Sequence, residues 1–195
     1  GVSLTPCADG ALPAGSVALL GRSRASLKIQ EGCDQVCAYC IVPRVRGRER
    51  SVPEEMLVRQ VARQVDEGAR EVVLTGTQLG SYGFDISETN LATMLKRVLN
   101  ETGIERLRVS SLQPAEITEE LLNIWSDEGE GRLCRHFHMA LQSGSDAILS
   151  RMRRRYTADE FVQTVERVRS TVPGAMITGD AIVGFPGETE VDHRS

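Results

Sequence analysis

The chain has 195 residues, 41% apolar and 26% charged, with a formal net charge of −4 and five cysteines. That composition supports one buried core and argues against a disordered chain, and the longest apolar runs, residues 17–20 and 72–74, fall far short of the roughly 20 residues a membrane helix needs. The negative balance argues against gripping nucleic acid by net charge alone, and an odd set of cysteines, three of them within eight positions, suits metal ligation in a reducing, cytoplasmic setting better than a disulfide framework.

In chain order, residues 1–25 are rich in Gly, Ala, Ser and Pro without periodicity and read as a linker or the tail of a preceding domain, ahead of a core over 26–195. A start at Gly1 rather than Met and an abrupt stop at Ser195 predict a piece of a longer protein. A first strand is predicted over 27–30. Ser51 and Glu54, with Pro53 in the first turn, predict a capping box for a helix in which Leu57, Val58, Val61, Ala62 and Val65 recur until Gly68. A strand over 71–75 follows, and Asn90 caps a helix with Met94, Leu95, Val98 and Leu99 inward, ended by Gly103. A third strand is predicted over 107–110, a third helix over 117–125 and a fourth strand over 134–141. A helical piece over 146–155 leads to a second one, capped by Thr157 and Glu160, bearing Phe161, Val162, Val165 and Val168 and stopped near Pro173. The fifth strand spans 176–185.

Strands alternating with helices predict an α/β fold whose parallel sheet has right-handed crossovers and is either open or curved into a barrel. Chemistry then collects at the carboxyl ends of the strands. Segments 33–40, 75–76, 110–113, 142–144 and 184–188 each follow a strand and converge on one rim. In the first, Cys33-x3-Cys37-x2-Cys40 offers three thiolates that can wrap one face of an iron–sulfur cube and leave the fourth iron open. Structural zinc would need Cys134 or a histidine from elsewhere, which keeps a non-catalytic zinc-stabilised binding module as the rival. Tyr39 adds an aromatic face beside the loop. Period two places His136, His138, Ala140 and Gln142 on one strand face. Arg44, Arg46, Arg48 and Arg50, and Arg151 with Arg153 to Arg155, suit a carboxylate, a phosphate or a solvated face. Cys7 and Cys134 read as free thiols.

The cysteine spacing, with an aromatic before the third cysteine, resembles the radical S-adenosylmethionine signature. Its surroundings, EGCDQVCAYCIVPRVRGRERS at residues 31–51, resemble the methylthiotransferases of that superfamily. LTGTQLGSYG at 74–83, RVSSLQPAEIT at 108–118, HFHMALQSGSDAILSRMRRRYT at 136–157 and AIVGFPGET at 181–189 continue the resemblance in order. Of the branches, the chain looks most like the enzymes that thiomethylate threonylcarbamoyladenosine beside the tRNA anticodon; isopentenyladenosine in tRNA and a ribosomal protein are the alternative substrates. Gln113, Ala140 and Gly179 stand where that branch usually has an acid, a proline and a threonine.

The resemblance implies a partial TIM-like barrel, truncated after about five strands. It further implies a [4Fe-4S] cluster on Cys33, Cys37 and Cys40 that reductively cleaves S-adenosyl-L-methionine to a 5′-deoxyadenosyl radical. It carries Thr75 and Gly76 over to the methionine amino group, Gln142 and Ser143 to the ribose, and Ile182 to Gly184 to the adenine edge. Tyr39, Ser110 and Arg154 join the same cofactor site, Arg154 with Tyr156 through the family's Met-x-Arg-x-Tyr-Thr pattern. A second [4Fe-4S] cluster is expected in an N-terminal domain outside this stretch, with a tRNA substrate held mainly by further domains and a reductant such as flavodoxin or ferredoxin. These 195 residues alone are expected to bind the cofactor without thiomethylating tRNA.

Overall fold

The computed structural model describes residues 23–127 and 129–195; most of the expected linker, and Cys7, lie outside them. In chain order the elements are β1 (Arg24–Lys28), β2 (Gln30–Glu31), α1 (Val42–Val45), β3 (Arg50–Ser51), α2 (Glu54–Asp66), β4 (Glu71–Thr75), α3 (Leu91–Glu101), β5 (Arg106–Val109), β6 (Ser111–Leu112), α4 (Glu119–Asn123), β7 (His136–Met139), α5 (Asp146–Arg151), α6 (Ala158–Thr171), β8 (Met176–Thr178) and α7 (Glu190–His193). Single 3-10 turns stand at Leu79–Ser81 and Pro114–Glu116.

Two parallel sheets, ordered β1-β4-β5 and β6-β7-β8, carry the fold, and a short antiparallel ribbon pairs β2 with β3. Arg24 to Lys28 pair in register with Glu71 to Thr75, which fixes the faces. Leu107 ties the two sheets together, since it bridges Leu133 and its carbonyl accepts the Cys134 N–H at 2.9 Å. Period-two alternation places Ala25, Leu27, Val72, Leu74, Leu107, Val109, Phe137 and Met139 on one face, where they share a core with Leu57, Val58 and Val61 of α2 and Met94, Leu95 and Val98 of α3. The other face carries Arg24, Glu71, Thr75, Arg108, His136 and His138, and no apolar layer of described residues covers it. There Glu71 lies 3.1 Å from Arg24 and 2.8 Å from Arg108. Burial opposes its charge, but the two guanidiniums outweigh that and hold its carboxyl below the usual range.

Several predicted elements change length for local reasons. The first strand begins at Arg24, and Gln30 passes into β2. Ser51 does not cap α2: it pairs with Gln30 in β3, donates its N–H to the Asp85 carboxylate at 3.0 Å and accepts the Gly83 N–H at 2.9 Å. Helix α2 therefore starts after Pro53 with no side-chain cap. Asn90 and the Thr157–Glu160 box cap α3 and α6 as predicted. The third helix, predicted over 117–125, shortens to α4, which follows the turn at Pro114–Glu116 and is capped by Thr118. The fourth strand narrows to β7, and the helix predicted over 146–155 ends at Arg151, with Arg153 at φ 58°. Val162, one of the apolar residues of α6, is 53% exposed. The fifth strand is reduced to β8, which stops at Thr178; Gly179 then passes the Met139 carbonyl so closely that a Cβ would lie 2.3 Å from it, and pairing resumes as a single bridge between Gln142 and Ala181.

Candidate cluster and cofactor site

The three-cysteine loop runs from β2 to α1. Gly32 turns it at φ +79°, a left-handed backbone where a Cβ would also lie 2.0 Å from the Arg48 carbonyl. The Cys33 N–H then bonds the Gly47 carbonyl at 3.2 Å, and the Ala38 N–H bonds the Met152 carbonyl at 3.0 Å, so the loop is pinned to its own return and to the end of α5. Its acids take up most of the arginine cluster. Glu31 lies 3.0 Å from Arg46 and 4.0 Å from Arg50, and Asp34 lies 2.7 Å from Arg48. Hydrogen bonds from Lys28 first, and Arg46 second, hold the Glu31 carboxyl below its ordinary range.

Exposure rises along the loop: Cys33 is buried, Cys37 half-buried and Cys40 exposed. Burial pushes the Cys33 thiol up, opposed by the Gln35 N–H at 3.4 Å. Arg154 reaches over the middle of the loop, with Nη1 3.4 Å from Cys37 Sγ and 3.5 Å from the Tyr39 hydroxyl. Its guanidinium stands 5.0 Å from the centre of the Tyr156 ring, whose hydroxyl is anchored 2.6 Å from the Ala140 carbonyl at the end of β7. Tyr39 meets Phe185 edge to face at 6.5 Å, which brings the loop after β8 to the same place. A pocket of about 430 Å³, lined by residues 36–41, Arg44 and Arg153, opens beside Cys37 and Cys40.

Gln30 joins this loop to the end of β4. Fully buried, it accepts the Thr77 and Gln78 N–H groups at 3.0 and 2.8 Å and donates to the Gly32 carbonyl at 3.0 Å. Gly76 packs against it: a Cβ there would lie 3.0 Å from Leu79 Cδ2 and 3.1 Å from the Gln30 carbonyl. Thr75 donates its hydroxyl to the Leu27 carbonyl at 3.3 Å, and the Ser110 N–H bonds the Leu74 carbonyl at 3.1 Å. Gln142 sits at φ 67° and its carbonyl accepts the Ile182 N–H at 2.8 Å, so these two meet through the backbone. Ser143 spends its hydroxyl on the turn before α5, accepting the Ser145 N–H at 3.2 Å. Gly184 lines a separate hollow with Val183, Glu188, Thr189, Glu190 and His193. On the uncovered sheet face, His138 lies 2.8 Å from the Ser111 hydroxyl and 3.4 Å from Asp180, and His136 lies 3.0 Å from the Thr178 hydroxyl.

The structure thus brings Cys33, Cys37, Cys40, Tyr39 and Arg154 together, links Thr75 and Gly76 to them through Gln30, and joins Gln142 to Ile182. Gln30, Gln78, Glu116 and Phe185 belong to the site and were not singled out by the sequence. Gln78, Glu116 and Phe185 lie inside the quoted motifs, and a polar residue closing an apolar strand just before the cysteines was the signal at Gln30. Among the described residues, no three His, Cys, Asp or Glu side chains converge on a point that would hold a single metal ion. Three thiols spread along one loop, beside a cation and an open pocket, are a donor set that fits a multi-iron cluster. Cys134 is buried before β7, beside Arg108 and at the opposite ends of the strands from the loop, and offers that loop no fourth ligand.

Residues 27–194 match the Radical SAM superfamily. The chain is 41% identical over 174 residues to the threonylcarbamoyladenosine tRNA methylthiotransferase MtaB of Bacillus subtilis, covering 89% of this chain and 38% of that protein. It is 43% identical over 161 residues to the tRNA-2-methylthio-N(6)-dimethylallyladenosine synthase of Syntrophotalea carbinolica, covering 82% and 36%. Among solved structures, the radical S-adenosylmethionine methyltransferase TsrM from Kitasatospora setae superposes with a TM-score of 0.66 at 19% identity, over 86% of this chain and 32% of that one. The cobalamin-dependent radical enzyme OxsB gives 0.68 at 14% identity, over 86% and 25%. These likenesses fix the fold, and the chain spans about two fifths of the length of the curated relatives it matches. With the family match running through the three-cysteine loop and every strand from β4 to β8, the chain belongs to the Radical SAM superfamily.

Proposed function

We propose that this chain is the cofactor-cleaving part of a tRNA methylthiotransferase that acts on threonylcarbamoyladenosine, its strands forming part of a TIM-like barrel. The observation that carries the reading is the loop of Cys33, Cys37 and Cys40 under Arg154, tied through Gln30 to the Thr75–Gly76 strand end. A [4Fe-4S] cluster on the three cysteines supplies the electron that cleaves S-adenosyl-L-methionine. The protein's residues bind and orient. Arg154 offers a cation where a carboxylate would lie, and Tyr39 with Phe185 forms an aromatic wall beside the loop. Thr75, Gly76 and Ser110 form the floor for the methionine end, and the backbone of Gln142 and Ile182, with Ser143 and Gly184, frames the nucleoside end. The uncovered sheet face, with His136 and His138, receives the base to be modified.

Relatives named for threonylcarbamoyladenosine and for dimethylallyladenosine match at the same level, so the second nucleoside is the alternative substrate. Sulfur insertion draws on a second [4Fe-4S] cluster, and beyond the loop the described residues offer only Cys134. A reducing cytoplasm and a flavodoxin- or ferredoxin-like donor complete the reading, and no helix among the described residues is long and apolar enough to cross a membrane.

The reconstituted and reduced chain is expected to release 5′-deoxyadenosine from the cofactor; none released would contradict the reading. A chimaera of the Bacillus subtilis relative carrying residues 27–194 of this chain is expected to add a methylthio mass to threonylcarbamoyladenosine. A chimaera that cleaves the cofactor and leaves that nucleoside unmodified would remove it as the substrate.

A further inference from the structure

Glu116 closes the 3-10 turn after β6, where one carboxylate oxygen accepts the Gln113 N–H at 2.8 Å and the other meets the side-chain NH2 of Gln78. A Cβ on Gly80 would lie 2.3 Å from this side chain, so the glycine leaves room for the carboxyl. Gln78 is held on every side. Its N–H bonds Gln30 at 2.8 Å, and its Oε1 accepts the Gln113 amide at 2.8 Å and faces Cys33 Sγ at 3.9 Å.

That orientation suits a protonated thiol, which donates to the amide oxygen. A cysteine bound to iron is a thiolate and only accepts, so the same oxygen would then face a second acceptor. Turning the Gln78 amide over presents its NH2 to Cys33 Sγ and, with the Gln113 amide turned likewise, to Gln113 Oε1. The Gln78 oxygen then faces Glu116, which satisfies it only by carrying a proton. Burial supplies that condition by pushing the Glu116 carboxyl up to about 7. The charged groups that face it are Arg154, which pulls the value down, and Glu49, which pushes it up.

We propose that Gln78, clamped between Glu116 and Gln113, is a positioning residue for Cys33 that donates an amide hydrogen to its thiolate when iron is bound and so raises the reduction potential of the cluster. This rests on the cluster reading above. A hydrogen bond to a ligating sulfur favours the reduced, more negative state, which is the direction of the effect. The Cys33 proton leaves to solvent on ligation and Glu116 takes its proton from solvent, so no proton crosses Gln78.

The test compares the anaerobically reconstituted protein with Q78L and E116Q by iron content and by midpoint potential in a spectroscopically monitored redox titration. Q78L is expected to keep about four irons per chain at a lower potential. The unsubstituted protein is expected to lose potential as pH rises through about 7, and E116Q, whose amide donates at every pH, to show a flat profile. Should Q78L hold no iron, the E116Q profile decides, since that substitution leaves Cys33 and Gln78 intact. Equal pH slopes in the two proteins, or a Q78L potential equal to the unsubstituted one, would overturn the role of Gln78. An unsubstituted protein that takes up no iron would overturn the cluster reading first, and this inference with it.

Discussion

Cys33, Cys37 and Cys40 differ in burial but share one loop, and none has a neighbouring thiol among the described residues to replace it. Substituting any one of them by Ala is therefore expected to abolish iron uptake, whereas Cys134→Ala leaves it intact; iron analysis of the four variants checks this. Gly76 has a structural reason for being glycine as well as the cofactor one. A β-branched side chain there meets Gln30 and Leu79, so Gly76→Val is expected to cost about 1–3 kcal/mol of stability, read by denaturant titration, besides weakening cofactor binding. At Glu116 the sign follows from a carboxyl whose value is raised from 4.5 to about 7 on folding. Its contribution is whole below the unfolded value and is lost as pH rises through the folded one, by up to about 3 kcal/mol. Glu116→Gln is expected to flatten stability against pH across that window; an unchanged profile would show that the carboxyl is not held this way. The cysteine motif was legible because its spacing is local. Gln30 and Gln78 were not, because their meaning lies in partners 48 residues apart.

Among the elements, period and composition located α2, α3 and α6 and the whole of β4, since apolar spacing and side-chain caps act within a few residues. The errors came where a residue had a tertiary partner in competition with its local role. Ser51 has the sequence of a helix cap, but pairing with Gln30 and the Gly83 N–H claims it for the ribbon and its turn. Thr157 does cap, so Thr157→Ala is expected to cost α6 about 1 kcal/mol, while Ser51→Ala leaves the helicity of α2 unchanged. Circular dichroism with thermal melts separates the two. The fifth strand was overestimated for a similar reason: residues 176–185 are interrupted at Gly179 and Asp180, where Gly179 passes close to the Met139 carbonyl, so β8 ends at Thr178 and pairing resumes only as the single bridge between Gln142 and Ala181.

At the scale of the whole molecule, one core under the parallel sheets holds the strand ends in place, and the loops after β4 and β8 reach the three-cysteine loop through Gln78 and Phe185. The α/β class and the sheet direction were legible in the alternation of strand and helix. The division into two sheets joined at Leu107 was not, because it lies in the pairing of Leu107 with Leu133, 26 residues along the chain. The claim on which the rest depends is that this loop holds iron rather than a closed zinc site. Metal analysis after anaerobic reconstitution with iron and sulfide tests it most directly. A brown protein with about four irons per chain, released when Cys33, Cys37 or Cys40 is replaced, is the predicted result. A colourless protein that takes up one zinc per chain and no iron would contradict it.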